Sequence, residues 1–141
     1  MATYQIISDS CCDFTAQQYQ DNNVLCVPLS VFYQGKSHDN FSDPKSVKEF
    51  YDTLRTGVTA TTSAANPETW ASVMEPVLAS GKDVLVLAFT SALSATYQSA
   101  VIAADELSEK YPDRKIRVVD SRCAALGQGL LLWYACRKRD E

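Results

Sequence analysis

Residues 83–100 read DVLVLAFTSALSATYQSA, an apolar run that passes directly into small hydroxylated residues. Positions 84 to 89 are all apolar, which is typical of a parallel strand covered on both faces. The following segment has apolar residues at helical spacing, namely Tyr97, Ala100, Val101, Ala104 and Leu107. A buried strand followed by a helix is the unit from which parallel α/β sheets are built. We therefore expect one strand and its crossover helix here.

The same alternation of short strands and longer helices extends along the whole chain. The predicted strands are Tyr4–Ile7, Val24–Tyr33, Val84–Phe89 and Ile116–Val119. Pro28 lies within the second strand, which indicates an edge position or a bulge, and Lys36–Phe41 is expected to fold back as a hairpin arm. The predicted helices begin near Thr15, Asp43, Asn66, Tyr97 and Ala124. The predicted fold class is α/β, a three-layer parallel-sheet domain that comprises residues 1–141.

Composition narrows the classes of function. The 141 residues are 46% hydrophobic and 21% charged, with a formal net charge of −4. Because no basic stripe is present, nucleic acid is not an expected partner. No apolar run is long enough for a membrane span, and the first residues lack the pattern of a signal peptide, so a cytoplasmic location is expected. Five scattered cysteines and one histidine disfavour a disulfide framework or a metal site, and we expect buried thiols.

Polar residues end three of the predicted strands. Ser8, Asp9 and Ser10 follow the first strand, Thr90 and Ser91 follow the third, and Asp120 and Ser121 follow the fourth. The carboxyl ends of parallel strands meet at one rim, where ligands bind in open α/β sheets. Helix N-termini at this rim favour an anion.

Hydroxyl groups also cap helices, and Ser94, Thr15 and Ser46 can be explained in that way. The cluster in TATTSAANP, residues 59–67, is less easily explained, since one helix needs one cap. Neutral hydroxyls and backbone N–H groups suit a carboxylate or phosphate whose remaining part is apolar. The residues alone thus favour a site for a small anionic ligand.

Enzymatic alternatives have weaker support. A hydrolase that used Ser91 or Ser94 would need a base, and His38 is the sole histidine. No G-x-S-x-G elbow and no glycine-rich phosphate loop occurs. Asp9 and Asp120 are conceivable metal ligands. Cys11 and Cys12 lie near a helix start, where a thiol pKa can be lowered, but their spacing is not C-x-x-C.

Six segments occur in the order and spacing typical of one family. They read IISDSCCDF, VLCVPLSVFYQGKSHD, EFYDTLRTG, TTSAANPETW, DVLVLAFTSALSATYQSA and IRVVDSRCAALGQGLLL. Over nearly its whole length the chain resembles the DegV family of bacterial fatty-acid-binding proteins. Some members present the lipid to a fatty acid kinase.

The resemblance implies a non-enzymatic, lipid-binding protein with no cofactor apart from a bound long-chain fatty acid. Its carboxylate is expected at Thr62 and Ser63 and at Ser94 and Thr96. Ala95 stands where the family usually has glycine. The alternative that stays open is a small hydrolase, or a subunit that forms an acyl phosphate, using a rim serine.

The resemblance also implies that this chain is the N-terminal lobe of a two-lobed protein, with the second lobe absent from it. Weaker lipid retention is then expected, unless a homodimer covers the open face, and a lobe with no activity of its own is a third alternative. A fatty acid kinase is a conceivable partner.

Trp70 and Trp133 are predicted core residues. Residues that either line an acyl pocket or belong to the core are Val27, Met74, Phe89 and Leu126.

Overall fold

The structure, a computed structural model, describes residues 4–39 and 43–141. The strands are β1 (Tyr4–Asp9), β2 (Val24–Val27), β3 (Ser30–Tyr33), β4 (Lys36–Asp39), β5 (Thr61–Ser63), β6 (Asp83–Ala88) and β7 (Ile116–Asp120). The α-helices are α1 (Ala16–Asp21), α2 (Pro44–Arg55), α3 (Pro67–Ala79), α4 (Thr96–Lys110) and α5 (Ala125–Asp140), and a short 3₁₀ helix spans Ser10–Cys12. The end of the predicted hairpin arm, at Phe41, lies outside the described residues.

The main sheet is parallel and has four strands in the order β2-β1-β6-β7. Because side chains alternate across a strand, β1 contributes to two cores. Ile7 packs with Val86, α3 and α4 on one face, whereas Ile6 packs with Leu87 and α5 on the other. Helices thus cover both faces, and the predicted three-layer α/β class is confirmed.

Sequence signals for two helix starts agree with the structure. Asp43 caps α2 and Asn66 caps α3, and each is followed by proline at the first helical position. Ser46 is not a cap, because Asp43 holds that position and Ser46 donates to it. Thr15 does cap α1, in a reciprocal capping box with Gln18.

The prediction of one strand over Val24–Tyr33 is wrong. The chain breaks at Pro28 and Leu29, and the second part, β3, enters a separate antiparallel sheet of order β4-β3-β5. Proline has no N–H to donate to a ladder, which favours a break over a continuous strand. In the second sheet Val31 lies opposite both His38 on β4 and Thr62 on β5.

The two tryptophans differ in environment. Trp70 is fully buried, as predicted, but Trp133 is 38% exposed, so its assignment to the core is wrong. The buried residues of α5 are Gln128, Gly129, Leu132 and Cys136. Trp133 therefore lies on an outward face with Leu126, Leu130 and Tyr134. No helix within the described ranges is both long and apolar enough to cross a bilayer.

Candidate functional site

The strand order places a crevice at the carboxyl ends of β1 and β6. From β1 the chain adds β2 on one side and later β6 on the other, so the crossovers depart in opposite directions. Open α/β sheets bind ligands at such a switch point. The segments that leave the sheet there are the 3₁₀ helix after Asp9 and the loop from Phe89 to Ala95.

A small pocket of ≈ 300 Å³ lies at this crevice. Its lining residues are Cys11, Leu29, Ser30, Val31, Thr62, Ser63, Ala64, Phe89, Leu93 and Ser94. Three of the predicted binding residues, Thr62, Ser63 and Ser94, are thus brought to one pocket. Thr62 and Ser63 reach it on β5, whose pairing with β3 carries the hydroxyl cluster to the rim.

Ser94 is held by Thr96. The Ser94 Oγ atom accepts from the Thr96 N–H at 3.1 Å and shares a second hydrogen bond with Thr96 Oγ1 at 2.8 Å. Thr96 is fully buried and does not line the pocket. The N-cap position of α4 belongs to Ala95, which makes no side-chain capping hydrogen bond, and Ser94 accepts from the first N–H group of the helix one position earlier. Ala95 has φ −74°, a conformation that alanine adopts without strain.

Ser8 and Asp9 lie beneath the rim in a buried polar network. One Asp9 oxygen accepts from the Cys11 N–H at 3.0 Å and from Gln128 Nε2 at 3.1 Å, and the other accepts from the Phe89 N–H at 2.6 Å. Ser8 donates to the Leu87 carbonyl at 2.7 Å. Burial raises the pKa of Asp9 above its usual value, against the opposing effect of these hydrogen bonds. Asp9 thus joins the ends of β1 and β6 to α5, which makes it a structural residue.

The remaining rim residues make hydrogen bonds within the protein. The Ser91 hydroxyl donates to Asp120 at 2.6 Å, which lowers the pKa of that carboxyl. Ser121 donates to the Cys123 carbonyl at 3.2 Å, and the Ser10 hydroxyl oxygen accepts from the Leu29 N–H at 3.0 Å. None of these three serines lines the small pocket.

Among the described residues that line the small pocket, none is a general base for Ser94. The lining of the small pocket, among the described residues, contains neither His38 nor a carboxylate. His38 instead stacks on Tyr33, with ring centroids 4.3 Å apart. Ser94 thus has no hydrogen-bonded base in this pocket, and Ser91, whose hydroxyl donates to Asp120, lies outside the pocket lining.

Cys11 also lines the pocket, but not as a reactive thiolate. Burial, and next the neighbouring Asp9 charge, raise its pKa to about 12, the reverse of the lowering considered from the sequence. The pocket lining thus carries no formal charge at neutral pH. Within residues 4–39 and 43–141 no cluster of His, Cys, Asp and Glu could hold a metal ion.

A larger cavity of ≈ 880 Å³ adjoins the small pocket. The elements around it are α1, β2, β3 and α2. Its lining combines apolar and aromatic residues with charged ones, namely Phe14, Leu25, Val47, Phe50 and Tyr51 with Asp13, Asp43 and Lys48. Val31 lines both spaces. Sequence reasoning missed this cavity, because the apolar face of α2 reads as an ordinary core face. Of the four residues predicted as pocket or core, Phe89 lines the small pocket, Val27 and Met74 are core, and Leu126 is 71% exposed.

Three comparisons with known proteins bear on this site. The family model described as an uncharacterised protein of the DegV family matches residues 3–141. A DegV domain-containing protein of Clostridium perfringens is 37% identical over the full length of this chain, and the match covers 49% of that relative. One from Caldanaerobacter subterraneus is also 37% identical, with 49% of its length covered.

Solved structures show the same likeness. A stearic acid-binding protein from Eubacterium ventriosum superposes with a TM-score of 0.87 at 28% identity, over 97% of this chain and 47% of its own. A fatty-acid-binding DegV family protein from Thermus thermophilus gives 0.86 at 30% identity, over 98% and 48%. The chain therefore spans about half the length of the relatives that it matches.

Proposed function

The chain belongs to the DegV family, and on that premise we propose that it binds a long-chain fatty acid whose carboxylate occupies the small pocket. Thr62, Ser63 and Ser94 are the donors in this proposal, and Thr96 positions Ser94. The observation that carries it is the meeting of hydroxyls from two separate segments, β5 and the β6–α4 loop, in a pocket with no charged side chain. The fatty-acid-binding relatives supply the class of ligand.

The hydrogen bonds of Ser94 favour an anion. When Thr96 donates its hydroxyl proton, both its N–H and its O–H point at the Ser94 oxygen. The Ser94 proton is then free to donate into the pocket. Hydrogen bonds in such a chain polarise one another, and donation to a carboxylate is stronger than donation to a neutral group.

The N-terminus of α4 adds to this preference. Ala95 at the N-cap position has no side-chain acceptor, so Ser94, through the Thr96 N–H, is the side-chain partner at this end of the helix. A carboxylate beside Ser94 would interact favourably with the positive end of the helix dipole. These contributions need no arginine or lysine, so no counter-charge is left next to the hydrocarbon part of the ligand.

Lipid retention tests the proposal. We expect the purified chain, incubated with palmitate and desalted, to carry one fatty acid in native mass spectrometry. The double variant Thr62→Ala/Ser94→Ala should lose it. Thr61→Ala is the matched control, because Thr61 lies on the same strand and is exposed but does not line the pocket. Retention by the double variant equal to that of the control would refute the carboxylate assignment.

We further propose that the loaded chain presents the carboxylate to a fatty acid kinase. Thr62 and Ser63 are exposed, so the bound carboxylate would lie at the protein surface, within reach of a second protein. The test is acyl phosphate formation by a fatty acid kinase with ATP, comparing the loaded chain with the loaded Thr61→Ala control and the double variant. Activity that does not depend on the chain would refute this role.

The outward apolar face of α5 supports a proposed homodimer. Leu126, Leu130, Trp133 and Tyr134 recur at helical spacing and are 38–71% exposed. Sedimentation velocity should show a dimer that Leu130→Ser/Tyr134→Ser converts to a monomer. A monomer at all concentrations would rule out the dimer.

A further inference from the structure

We propose that Asp9 makes the small pocket selective for a singly charged headgroup and disfavours a doubly charged one, such as a phosphate monoester. This inference rests on the proposed function, because it assumes that an anionic headgroup occupies the pocket beside Ser94. It deepens that function, since hydroxyl donors alone suit a phosphate as well as a carboxylate. Asp9 is then a specificity-determining residue in addition to joining β1 and β6 to α5.

Asp9 lies directly behind two walls of the pocket, and it is fully buried. One of its carboxylate oxygens accepts from the Cys11 N–H at 3.0 Å, and the other accepts from the Phe89 N–H at 2.6 Å. Cys11 and Phe89 both line the small pocket. Little more than these two residues therefore separates the Asp9 carboxylate from the space in which the headgroup is proposed to lie.

The hydrogen bonds of Asp9 are those of an ionised carboxylate without a counter-ion. Its two oxygens accept from three N–H groups, those of Cys11, Phe89 and the Gln128 side chain. None of these donors is charged. In the part of the chain that the structure describes, no lysine or arginine forms an ion pair with Asp9. The negative charge is thus not neutralised, and because it is buried, salt screens it only weakly.

The effect of this charge on the pocket is visible at the Cys11 thiol. Burial is the main cause that raises the pKa of Cys11 to about 12, and the Asp9 charge is the next. A thiolate on the pocket wall is therefore disfavoured in part because Asp9 repels it. A ligand anion in the same pocket experiences this repulsion too, and a second negative charge on the ligand experiences it again.

The pocket offers little to compensate a second charge. Its lining, among the described residues, contains no lysine or arginine, although these are the usual partners of phosphate groups. The Cys11 and Phe89 N–H groups already donate to Asp9, so they are not available to a ligand. The hydroxyl donors of the proposed site then have to serve two oxygens on a carboxylate but three on a phosphate.

The competing interpretation is that Asp9 only maintains the fold, and Gln128 allows the two to be separated. The Gln128 Nε2 atom donates to Asp9 at 3.1 Å and to Ser8 Oγ at 3.2 Å. Gln128→Met loosens this network but leaves the Asp9 charge in place, whereas Asp9→Asn removes the charge. A purely structural role predicts that both variants weaken all headgroups alike. The selectivity role predicts that only Asp9→Asn changes their relative affinities.

Isothermal titration at about pH 8 with octanoate, octyl sulfate and octyl phosphate tests the proposal. The sulfate and the phosphate share the tail and the tetrahedral headgroup, but the sulfate carries one negative charge and the phosphate nearly two. In the wild type we expect octyl phosphate to bind more weakly than octyl sulfate. Asp9→Asn should reduce this ratio of affinities about tenfold to thirtyfold, the effect of one unit charge several ångströms away. Gln128→Met should leave the ratio within about twofold of the wild-type value.

The outcomes separate the inference from the proposed function. If the wild type binds none of the three ligands, the proposed function itself fails. If it binds octanoate and Asp9→Asn leaves the ratio of sulfate to phosphate affinity unchanged, the function stands and the selectivity role of Asp9 is refuted. An equal change of the ratio in Gln128→Met, or octyl phosphate binding that stays undetectable in Asp9→Asn, has the same meaning.

A measurement on the wild type avoids any dependence on how Asp9→Asn folds. The Asp9 carboxyl is titrated by carbon NMR with and without saturating octyl sulfate, whose own charge does not change over the titration. Because the coupling between a bound anion and a bound proton is reciprocal, repulsion of the ligand by Asp9 requires a higher pKa of Asp9 in the complex. We expect its acid dissociation constant to fall about tenfold. An equal pKa of Asp9 in the free and the loaded chain would overturn the proposal.

Discussion

Replacing Ser94 by alanine should weaken fatty acid binding and destabilise the fold at the same time. The Ser94 oxygen is a hydrogen-bond partner of the buried Thr96 hydroxyl, at 2.8 Å, and it also accepts from the Thr96 N–H at 3.1 Å. A hydrogen bond to a charged group contributes about 1.5–3 kcal/mol, so loss of the proposed Ser94 donor should reduce affinity about tenfold to a hundredfold.

The stability change has a separate cause. Ser94→Ala leaves the buried Thr96 hydroxyl without this partner, which costs about 1–3 kcal/mol in the free energy of unfolding. Thr62 is exposed, and in the described residues its hydroxyl is not the partner of a buried polar group. Thr62→Ala should therefore lower affinity by a similar factor while the free energy of unfolding changes by less than about 0.5 kcal/mol.

Two measurements on each variant separate these effects. Isothermal titration with decanoate, an acid short enough to stay monomeric in solution, gives affinity, and urea denaturation of the unliganded chain gives stability. Thr96→Val adds a further comparison, because it keeps the buried volume and leaves Ser94 able to donate. We expect it to lower affinity less than Ser94→Ala does. If Ser94→Ala loses stability but binds decanoate as tightly as the wild type, Ser94 is only a structural residue and our reasoning is wrong.

Three further predictions concern the surroundings of the pocket. Gly129→Ala should lower the free energy of unfolding by about 1–3 kcal/mol in urea denaturation, because the added Cβ would lie 2.6 Å from the Cys12 carbonyl oxygen. Gly127→Ala is the control: its Cβ would lie 3.7 Å from the Cys123 Cβ, an ordinary contact, so the change should be neutral or stabilising. Burial raises the pKa of Asp9 in the folded protein, so the stability that this residue contributes is greatest below its unfolded pKa near 4 and is lost as pH rises through its folded pKa. Asp9→Asn should remove that part of the pH dependence of the unfolding free energy. An unfolding free energy that depends on pH as in the wild type would contradict the raised pKa. Because the pocket lining is uncharged and the pKa of Cys11 is about 12, decanoate affinity should be constant between about pH 6 and 9 and nearly independent of salt, which titrations across both ranges would check.

The parallel part of the fold was predictable because its signals are local. Val84–Phe89 is apolar throughout, and Asn66-Pro67 marks a helix start, so strand and helix follow from neighbouring residues. The rim residues were predictable for the same reason, since the carboxyl ends of parallel strands must share an edge. Thr62, Ser63 and Ser94 were assigned by resemblance, and only the structure brings them to one pocket.

What the sequence did not reveal depends on contacts between distant segments. Thr61–Ser63 is short, exposed and hydroxyl-rich, so nothing local indicates a strand, and its order comes from pairing with β3 about thirty residues earlier. Trp133 was misplaced because α5 is apolar on most sides and helical spacing alone does not identify its inward face. Gln128 gave a signal that was missed, a single amide between two glycines on an apolar helix, where it now bridges to Asp9.

In the proposed binding mode, the two sheets contribute different parts of one site. A fatty acid needs an anion site that excludes stray charge and, next to it, a dry path for hydrocarbon. The parallel sheet would provide the first, since its switch point brings the N-terminus of α4 and Ser94 to a pocket whose lining contains no lysine or arginine. The antiparallel sheet extends from that crevice with Thr62 and Val31 side by side on one face, hydroxyl beside methyl groups. Because Thr62 and Val31 face each other across the strand pair, the hydroxyl proposed to bind the carboxylate lies directly beside apolar surface.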